Sequence, residues 1–450
     1  MRSMAFDLIV IGTGSAGFSV ARRCRSAGWN VAIVDSRPYG GTCAQRGCDP
    51  KKVLVGAAEA VHAVRRLARK GVGGESVAIH WSDLAQFKRT FTDPVPDSSE
   101  QGLAKAGIET LHGRARFGGR NTIRIGERVI EARHIHIATG AMPARLPIAG
   151  EDLLTSSDQF LELTELPRRI AFLGSGFISF EFAHVCAIAG ARVTMIEMLE
   201  RPLAGFDPDL VSVLVEGTRA LGIELHLQTT VQGVERVADC LVITADRPQG
   251  MHRFEADMVV HGAGRVPEID DLDLERGGVD YGKRGVRVNE YLQSISNPAV
   301  YAAGDAADSG PMLTPVAGHE GRIVATNLLE GNTRRIEYPA IPSVVFTLPP
   351  LASVGLQEAE ARGQGLRFTT NFARTADWYS SRRLNEWCSA HKILVEEESG
   401  RILGAHLLGP NSEELINVFA VAMRCGMRAR DLKELIFAYP TRASDLAYMV

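Results

Sequence analysis

Asp7-Leu-Ile-Val-Ile-Gly12-Thr-Gly14-Ser-Ala-Gly17 decides the reading of this chain, because Arg169-Ile-Ala-Phe-Leu-Gly174-Ser-Gly176-Phe177-Ile178-Ser179 repeats it. In each copy an apolar run of strand character enters a glycine-rich turn, and a helical stretch follows. A second apolar run then ends in an acid about 20 residues on. Val31 leads to Asp35 after the first turn, and Val193 leads to Glu197 after the second. Gly12 permits the tight turn, Gly14 lets backbone approach a pyrophosphate, Gly17 allows close helix–strand packing, and Asp35 would accept from ribose hydroxyls. Ser179 stands where the third glycine of the second unit falls and is still small. Two dinucleotide sites and an α/β fold follow.

Glu197 should hydrogen-bond an adenosine ribose and repel a 2′-phosphate, so NADH is favoured. Arg201 is the one nearby cation that could welcome the phosphate, which keeps NADPH possible.

The 450 residues exceed what one hydrophobic core serves, so several domains are expected. A net charge of -3 gives no basic field for nucleic acid. No apolar stretch approaches the roughly 20 residues of a membrane helix. The first apolar run, Phe6 to Ile11, ends in a glycine turn rather than a cleavage site, so a cytoplasmic protein without a membrane partner is expected. Seven cysteines are too sparse for a secreted disulfide framework, and five of them read as buried thiols. Among twelve histidines only His134 and His136 are closely spaced; they share a strand face, read as structural, and no metal is expected.

Further strands are expected at His134 to Ala138, Met258 to His261 and Ala299 to Ala303. From about residue 338 the text changes to an α+β pattern, with strands such as Ile393 to Val395 and Ile402 to Leu408 and a helix from Ser412. Asp97 to Gly102 and Asn332-Thr333 read as surface connections.

The sharpest chemistry lies in Gly40-Gly41-Thr42-Cys43-Ala-Gln-Arg46-Gly47-Cys48-Asp49-Pro50-Lys51-Lys52. In an undistorted helix residues five apart lie about 8.7 Å apart at Cα, against roughly 4.4 to 6.8 Å for a disulfide. The pair closes only if the backbone bends, and Gly47 and Pro50 supply that freedom. An open thiol pair and a strained, easily reduced disulfide both stay open. Zinc would need further Cys or His ligands that this neighbourhood lacks. Arg46 and Lys51 are expected to favour a thiolate, and Asp49 to oppose it.

With these motifs the chain resembles the class I pyridine nucleotide-disulfide oxidoreductases, the family of glutathione reductase, dihydrolipoamide dehydrogenase, mercuric reductase and soluble transhydrogenase. Ile137-Ala-Thr139-Gly140 and Gly262-Ala-Gly264-Arg265-Val-Pro267 are similar to the family's links between its nucleotide domains. Tyr301-Ala-Ala-Gly304-Asp305-Ala resembles its second FAD signature, and Leu313-Thr314-Pro-Val-Ala317 the helix start near the flavin. Phe346-Thr-Leu-Pro-Pro350 and Val354-Gly-Leu resemble the opening of its dimerisation domain.

The resemblance implies two doubly wound Rossmann-like nucleotide domains, FAD (1–145 and 266–335) and NAD(P) (146–265), with an α+β interface domain (338–450) that makes a homodimer. It implies electron flow from NAD(P)H through FAD to Cys43–Cys48 and on to a thiol or disulfide substrate. Cys48 would be the thiol beside the flavin, able to form a charge-transfer pair, and Cys43 the one that exchanges with substrate. Lys51, paired with Glu181, would sit near flavin N5. FAD would be held by Gly12, Gly14, Gly17, Asp35, Gly41, Thr42, Thr139, Gly140, Arg265, Gly304, Asp305, Leu313, Thr314 and Ala317. The nicotinamide would be held by Gly174, Gly176, Phe177, Ile178, Glu197 and Gly264. Phe177 falls where glutathione reductases place a gating tyrosine; core packing is its other reading.

The pattern departs at Phe437-Ala-Tyr439-Pro440-Thr441-Arg442-Ala-Ser444-Asp445. Disulfide reductases carry His-Pro-Thr here, with a glutamate five residues after the histidine, and contribute both across the dimer. Tyr439 replaces the histidine and Ser444 the glutamate, with Asp445 one place late. A tyrosine is a poor general base at neutral pH, though its hydroxyl can position a leaving thiol. Tyrosine here is similar to mercuric reductase and transhydrogenase, which keeps a metal ion, a quinone or a second nicotinamide open as acceptor. Cys48 argues against the transhydrogenase. Against the mercuric reading, no Cys-Cys pair ends the chain: Cys425 is alone, in a helix that reads as core, and the sequence stops soon after Thr441. Asp377-Trp378-Tyr379-Ser-Ser-Arg382-Arg383-Leu-Asn385 reads either as an anion- or thiol-binding loop or as a solvated loop.

Overall fold

The computed structural model describes residues 6–74 and 76–450. The chain packs as two compact units. One takes in the chain up to Pro50 with Phe87–Ala144 and Gly264–Tyr338; the other takes in Lys51–Gln86, Arg145–Ala263 and Pro339–Val450.

In the first unit the strand Phe6–Ile11 lies between two parallel neighbours, Val31–Asp35 and Arg128–Ile137, with Leu8 opposite both Val31 and His134. Glu109–His112 pairs parallel outside Val31–Asp35, and Val300–Ala302 pairs parallel with Arg128–Ile137. Leu8, Ile9 and Val10 are fully buried. A strand covered on both faces reads as a continuous apolar run, as this one does. Ile11, Ile137 and Ala302 fall in register, so the turns that follow them meet at one edge of the sheet.

Two expectations change here. The expected strand at His134 to Ala138 runs from Arg128 to Ile137, because a hairpin with Thr122–Ile125 lengthens it. Asp97 to Gly102, read as a surface connection, lies inside the helix Val95–Lys105. Its polar residues face outward and buried Leu103 anchors it, so local composition hid an amphipathic helix.

In the second unit Arg169–Leu173 pairs parallel with Arg192–Ile196 on one side and Met258–His261 on the other; Glu224–His226 lies outside Arg192–Ile196. The C-terminal part is an antiparallel sheet in the spatial order Ser343–Val345, Leu351–Gly355, Ile402–Leu408, Ala390–Glu396, Phe368–Arg374, covered by the helix Ser412–Arg424. The helix Cys48–Leu67 sends Leu54, Val55, Ala58 and Val61 into one core with Phe172, Phe180 and Leu348.

Of the five cysteines expected to be buried, Cys24, Cys186 and Cys388 are. Cys240 is half-buried, and Cys425 is exposed at the end of Ser412–Arg424 rather than in its core. The apolar face of that helix belongs to Leu415, Ile416, Phe419 and Ala422. Among the described residues no helix is long and apolar enough to cross a membrane.

Candidate functional site

The first unit gathers its glycine turns where the strands end. Gly12 has φ +105°, and a Cβ there would lie 2.2 Å from the Ala138 carbonyl oxygen. A Cβ on Gly17 would lie 2.1 Å from the Gly12 oxygen, whereas one on Gly14 would meet nothing within 4 Å. Gly14 is therefore the open lip of the turn. Asp35 turns back onto it: Oδ2 accepts from Thr13 N at 2.9 Å and Thr13 Oγ1 at 2.6 Å, and Oδ1 from Arg37 N at 2.9 Å. A carboxylate has about four acceptor positions, so one remains for a ribose hydroxyl.

Gly41, at φ +71°, closes on the same turn, since a Cβ there would lie 2.5 Å from Gly14 Cα. Thr42 and Cys43 follow in the short helix Gly41–Arg46. Thr139 and Gly140 follow Arg128–Ile137, and Gly304 and Asp305 follow Val300–Ala302. The Arg265 guanidinium donates to the Ala141 carbonyl, and burial lifts the Asp305 carboxyl above its usual range against the pull of Arg265. The Thr139 hydroxyl is buried with no hydrogen-bond partner among the described residues. That orphaned hydroxyl, on a residue whose N lies 3.1 Å from a Cβ built on Gly12, together with the open lip at Gly14 fits a polar ligand with a backbone-cradled pyrophosphate, as FAD has.

Gly47 separates Gly41–Arg46 from Cys48–Leu67, with φ −141° and ψ −113°, so Cys43 and Cys48 do not share an undistorted helix. Cys43 is half-buried and Cys48 exposed. Cys48 Sγ lies 3.4 Å from Thr314 Oγ1, at the first turn of the helix Thr314–Glu330, which Leu313 caps and Ala317 continues. The Cys43 thiol is pushed up by its hydrogen bond to Cys48, then by burial and by Cys48 and Asp49 charge, with Thr314 opposing. The expectation that Arg46 and Lys51 favour a thiolate is corrected for Cys43: the balance holds it protonated.

Sequence reasoning missed Glu320. It is 1 % exposed; Oε2 accepts from Gly304 N at 2.6 Å, and Oε1 from Ser309 Oγ at 2.8 Å and from Tyr338 Oη. One acid thus sets the turn that carries Asp305. The available signal was an acid at the helical interval between Val316 and Ile323–Val324, all buried.

The second unit repeats the first turn closely. Glu197 Oε2 accepts from Ser175 N at 2.8 Å and Ser175 Oγ at 2.6 Å, and Oε1 from Leu199 N at 2.9 Å. Gly174 has φ +89°, and a Cβ on Gly176 would meet only the Gly262 oxygen, at 3.8 Å. A Cβ on Gly262 would lie 1.9 Å from Ser179 Oγ, so the serine in the third-glycine position uses the space that glycine 262 leaves. Phe177 opens the helix Phe177–Ile188, followed by Ile178, and is 52 % exposed, which removes the core-packing reading. Arg201 donates to the carbonyls of Phe206, at 2.8 Å, and Ala204, at 3.1 Å. Gly264, at φ +107°, belongs to the first unit.

Lys51 Nζ lies 2.8 Å from Glu181 Oε1, which also accepts from Phe346 N at 3.0 Å. The Phe346 ring covers the ammoniums of both Lys51, at 4.5 Å, and Lys52, at 4.3 Å. Burial holds the Glu181 carboxyl above its usual range, with Lys51 opposing.

At the C-terminal motif Tyr439 is 81 % exposed. Ser444 closes its own turn with Thr441, and Asp445 is drawn inward to Ser380 and Arg442. Neither presents a carboxylate where the family has glutamate. Within the 377–385 segment Ser380 and Ser381 are buried and Trp378 packs on His391 and Tyr448, whereas Tyr379, Arg382 and Arg383 are exposed.

The profile described as pyridine nucleotide-disulphide oxidoreductase matches residues 6–321, and that family's dimerisation domain matches residues 341–450. The chain belongs to this family: it is a FAD-dependent pyridine nucleotide-disulfide oxidoreductase of α/β fold with a C-terminal dimerisation domain. It is 32 % identical over 457 residues to a glutathione reductase from Nostoc sp., covering 99 % of both chains. It is 32 % identical over 449 residues to a dihydrolipoyl dehydrogenase from Haloferax volcanii, covering 97 % of this chain and 94 % of that one. Among solved structures it superposes, with TM-score 0.89 and 26 % identity, on the Cu(II) complex of the HOCl-induced flavoprotein disulfide reductase RclA from Escherichia coli, covering 99 % of this chain and 98 % of that one.

Proposed function

We propose that the protein works as a homodimer in the cytoplasm, takes electrons from NADH, and delivers them through Cys43 to a disulfide-bearing small molecule. The domain limits we propose are 1–145 with 266–335 for FAD, 146–265 for the nicotinamide and 338–450 for the interface. The observation that carries this reading is the Cys43–Cys48 pair, set on either side of the break at Gly47 and flanked by Thr314, whose Oγ1 lies 3.4 Å from Cys48 Sγ. Bound FAD, held by the glycine turns, Asp35, Thr139 and Asp305, would supply the two electrons that reduce the sulfur pair.

The reduced pair then does thiol–disulfide exchange. Cys43 sulfur bonds one sulfur of the acceptor, the acceptor S–S bond breaks, and the Cys43 proton leaves with the first thiol. Cys48 sulfur next loses its proton to water and bonds Cys43, which expels the second acceptor sulfur; that thiolate takes one proton back from water. Two electrons have moved and Cys43–Cys48 is a disulfide. The Tyr439 hydroxyl, reaching the partner's active site, positions the leaving thiol. Lys51, fixed by Glu181, supplies a cation for the negative charge that hydride arrival creates. Preference for NADH is supported by buried Glu197 and by Arg201 being held by carbonyls.

A second reading, a metal ion such as Cu(II) as acceptor, is favoured by tyrosine in place of histidine and by the Cu(II) complex of the E. coli reductase. Against it, no group of three or more metal-ligating side chains occurs among the described residues. Turnover of NADH with lipoamide, glutathione disulfide and Cu(II) by the Cys43→Ser variant tests both. The disulfide reading expects the flavin still to bleach with NADH while turnover with both disulfides disappears; disulfide turnover that survives sinks it.

A further inference from the structure

Arg442 follows the Tyr439-Pro440-Thr441 motif directly and is 8 % exposed. Its Nη1 donates to Ser380 Oγ at 2.7 Å and Ser381 Oγ at 3.0 Å, and its Nη2 to Ser389 Oγ at 2.8 Å. Asp445 Oδ2 lies 3.4 Å from Nη1 and also accepts from Ser380 Oγ. A guanidinium is a rigid planar fork, so holding both its ends fixes the orientation of the chain that carries it.

The fork has a made-to-measure berth. Gly409 sits at the end of the strand Ile402–Leu408 with φ +139°, and a Cβ there would lie 2.5 Å from Ser389 Oγ and 3.0 Å from Arg442 Nη2. The berth is also clamped at its far side. Glu386 pairs with Arg66 and accepts from Cys388 N at 3.0 Å, while Asn385 Nδ2 donates to the Arg66 carbonyl at 2.7 Å. Arg66 is on the last turn of the helix Cys48–Leu67, whose first turn carries Lys51. The 380–389 segment is therefore a platform pinned to that helix, and Arg442 is the pin that joins the C-terminal motif to it.

We propose that Arg442 is a positioning residue for the electron acceptor. It fastens the Tyr439–Thr441 turn to Ser380, Ser381 and Ser389, so loosening it slows delivery of electrons to the acceptor while reduction by nicotinamide is untouched. This rests on the reading of Tyr439 as an acceptor-side group. The charge itself is secondary; the fork geometry matters, because lysine offers a point charge without the second donor line.

The test is anaerobic stopped-flow on holoenzyme, with NADH for reduction and the aromatic disulfide dithiobis(nitrobenzoic acid) for reoxidation. For Arg442→Met, reoxidation should slow about tenfold and reduction should change less than about twofold, with Arg442→Lys between Met and wild type. Hydrogen exchange of residues 439–445 should speed up in Arg442→Met and not in Tyr439→Phe. Unchanged reoxidation, or parallel loss of both half-reactions, overturns the proposal. If Arg442→Met does not fold, Ser389→Ala decides: it removes one hydroxyl partner and should slow reoxidation about threefold, and no slowing overturns the proposal. Tyr439→Phe separates the two readings. Normal reoxidation there removes the role of Tyr439, whereas slow reoxidation in Tyr439→Phe with normal reoxidation in Arg442→Met removes only that of Arg442.

Discussion

Lys51 and Glu181 form a 2.8 Å ion pair in which the glutamate side chain is 3 % exposed and the lysine side chain 13 % exposed. The same carboxylate oxygen holds Phe346 N, whose ring lies over the ammonium, so the lysine is fixed by charge, hydrogen bond and aromatic face together. Lys51→Met should cut the rate of reduction by NADH about 100-fold, the scale on which a preorganised charge stabiliser is felt. Glu181→Gln keeps the acceptor for Phe346 N and should cost about tenfold. The pH sign is fixed by burial, which raises the Glu181 pKa in the folded state. The folded protein then holds this proton more tightly than the unfolded chain. Glu181 contributes stability below its ordinary pKa and loses it as pH rises through the raised value. The stability difference between wild type and Glu181→Gln, from urea unfolding, should therefore shrink with rising pH across that window.

Gly12 and Gly14 predict opposite phenotypes. Alanine at 12 requires φ +105° and brings Cβ to 2.2 Å from a carbonyl oxygen, which should destabilise the flavin-free protein by about 2–4 kcal/mol. Alanine at 14 meets no protein atom, so the flavin-free protein should keep its stability within about 1 kcal/mol. Its methyl instead fills the lip where a pyrophosphate approaches, so FAD affinity should fall at least about tenfold. Urea unfolding and FAD fluorescence titration give the two readings. Equal FAD affinity in Gly14→Ala and wild type would falsify the assignment of this turn.

The glycine turns were legible because their requirements are local: a positive φ at Gly12 and a close approach at Gly17 restrict the residue whatever lies around them. The paired acids were legible for the same reason, and the structure adds that Asp35 and Glu197 each seize the turn's own Thr13 or Ser175. What sequence could not show was side chains serving distant backbone. Glu320 falls at the buried interval of its helix, but nothing local shows that it holds Gly304 from 16 residues away. Phe346 was visible as part of a motif, but its contact with Lys51 depends on a long-range return of the chain. Arg442 read as an ordinary charge after Thr441, since its hydroxyl partners lie more than 50 positions earlier.

Glu197 is expected to set nicotinamide preference, but not alone. Removing it in Glu197→Ala deletes a ribose acceptor and frees Ser175, so KM for NADH should rise about tenfold. NADPH should gain only a few-fold relative to NADH, because Arg201 stays committed to the carbonyls of Phe206 and Ala204. Steady-state kcat/KM with both nucleotides checks this. A complete reversal of preference in the single variant would mean that Arg201 leaves those carbonyls for a phosphate.

Acid should unfold this protein partly through His184. Its ring is fully buried, Nδ1 accepts from Leu348 N at 3.0 Å, and Nε2 meets Thr218 Oγ1 at 3.0 Å. A proton on Nδ1 would break the first bond, and burial lowers the pKa to about 3. Because the folded pKa is depressed for a base, the unfolded chain binds the proton first as pH falls below about 6.5, and stability drops from there down to the folded value. At pH 4.5 this residue alone should cost about 2–3 kcal/mol relative to pH 7, from about 1.4 kcal/mol per pKa unit. His184→Gln keeps an acceptor for Leu348 N and has no proton to gain. Urea unfolding at the two pH values should show a smaller acid loss in the variant by that amount, even if it is less stable than wild type at pH 7. An identical acid loss in both proteins would move the acid sensitivity to other buried histidines, of which His136 and His391, each lowered to about 4, are the next to test.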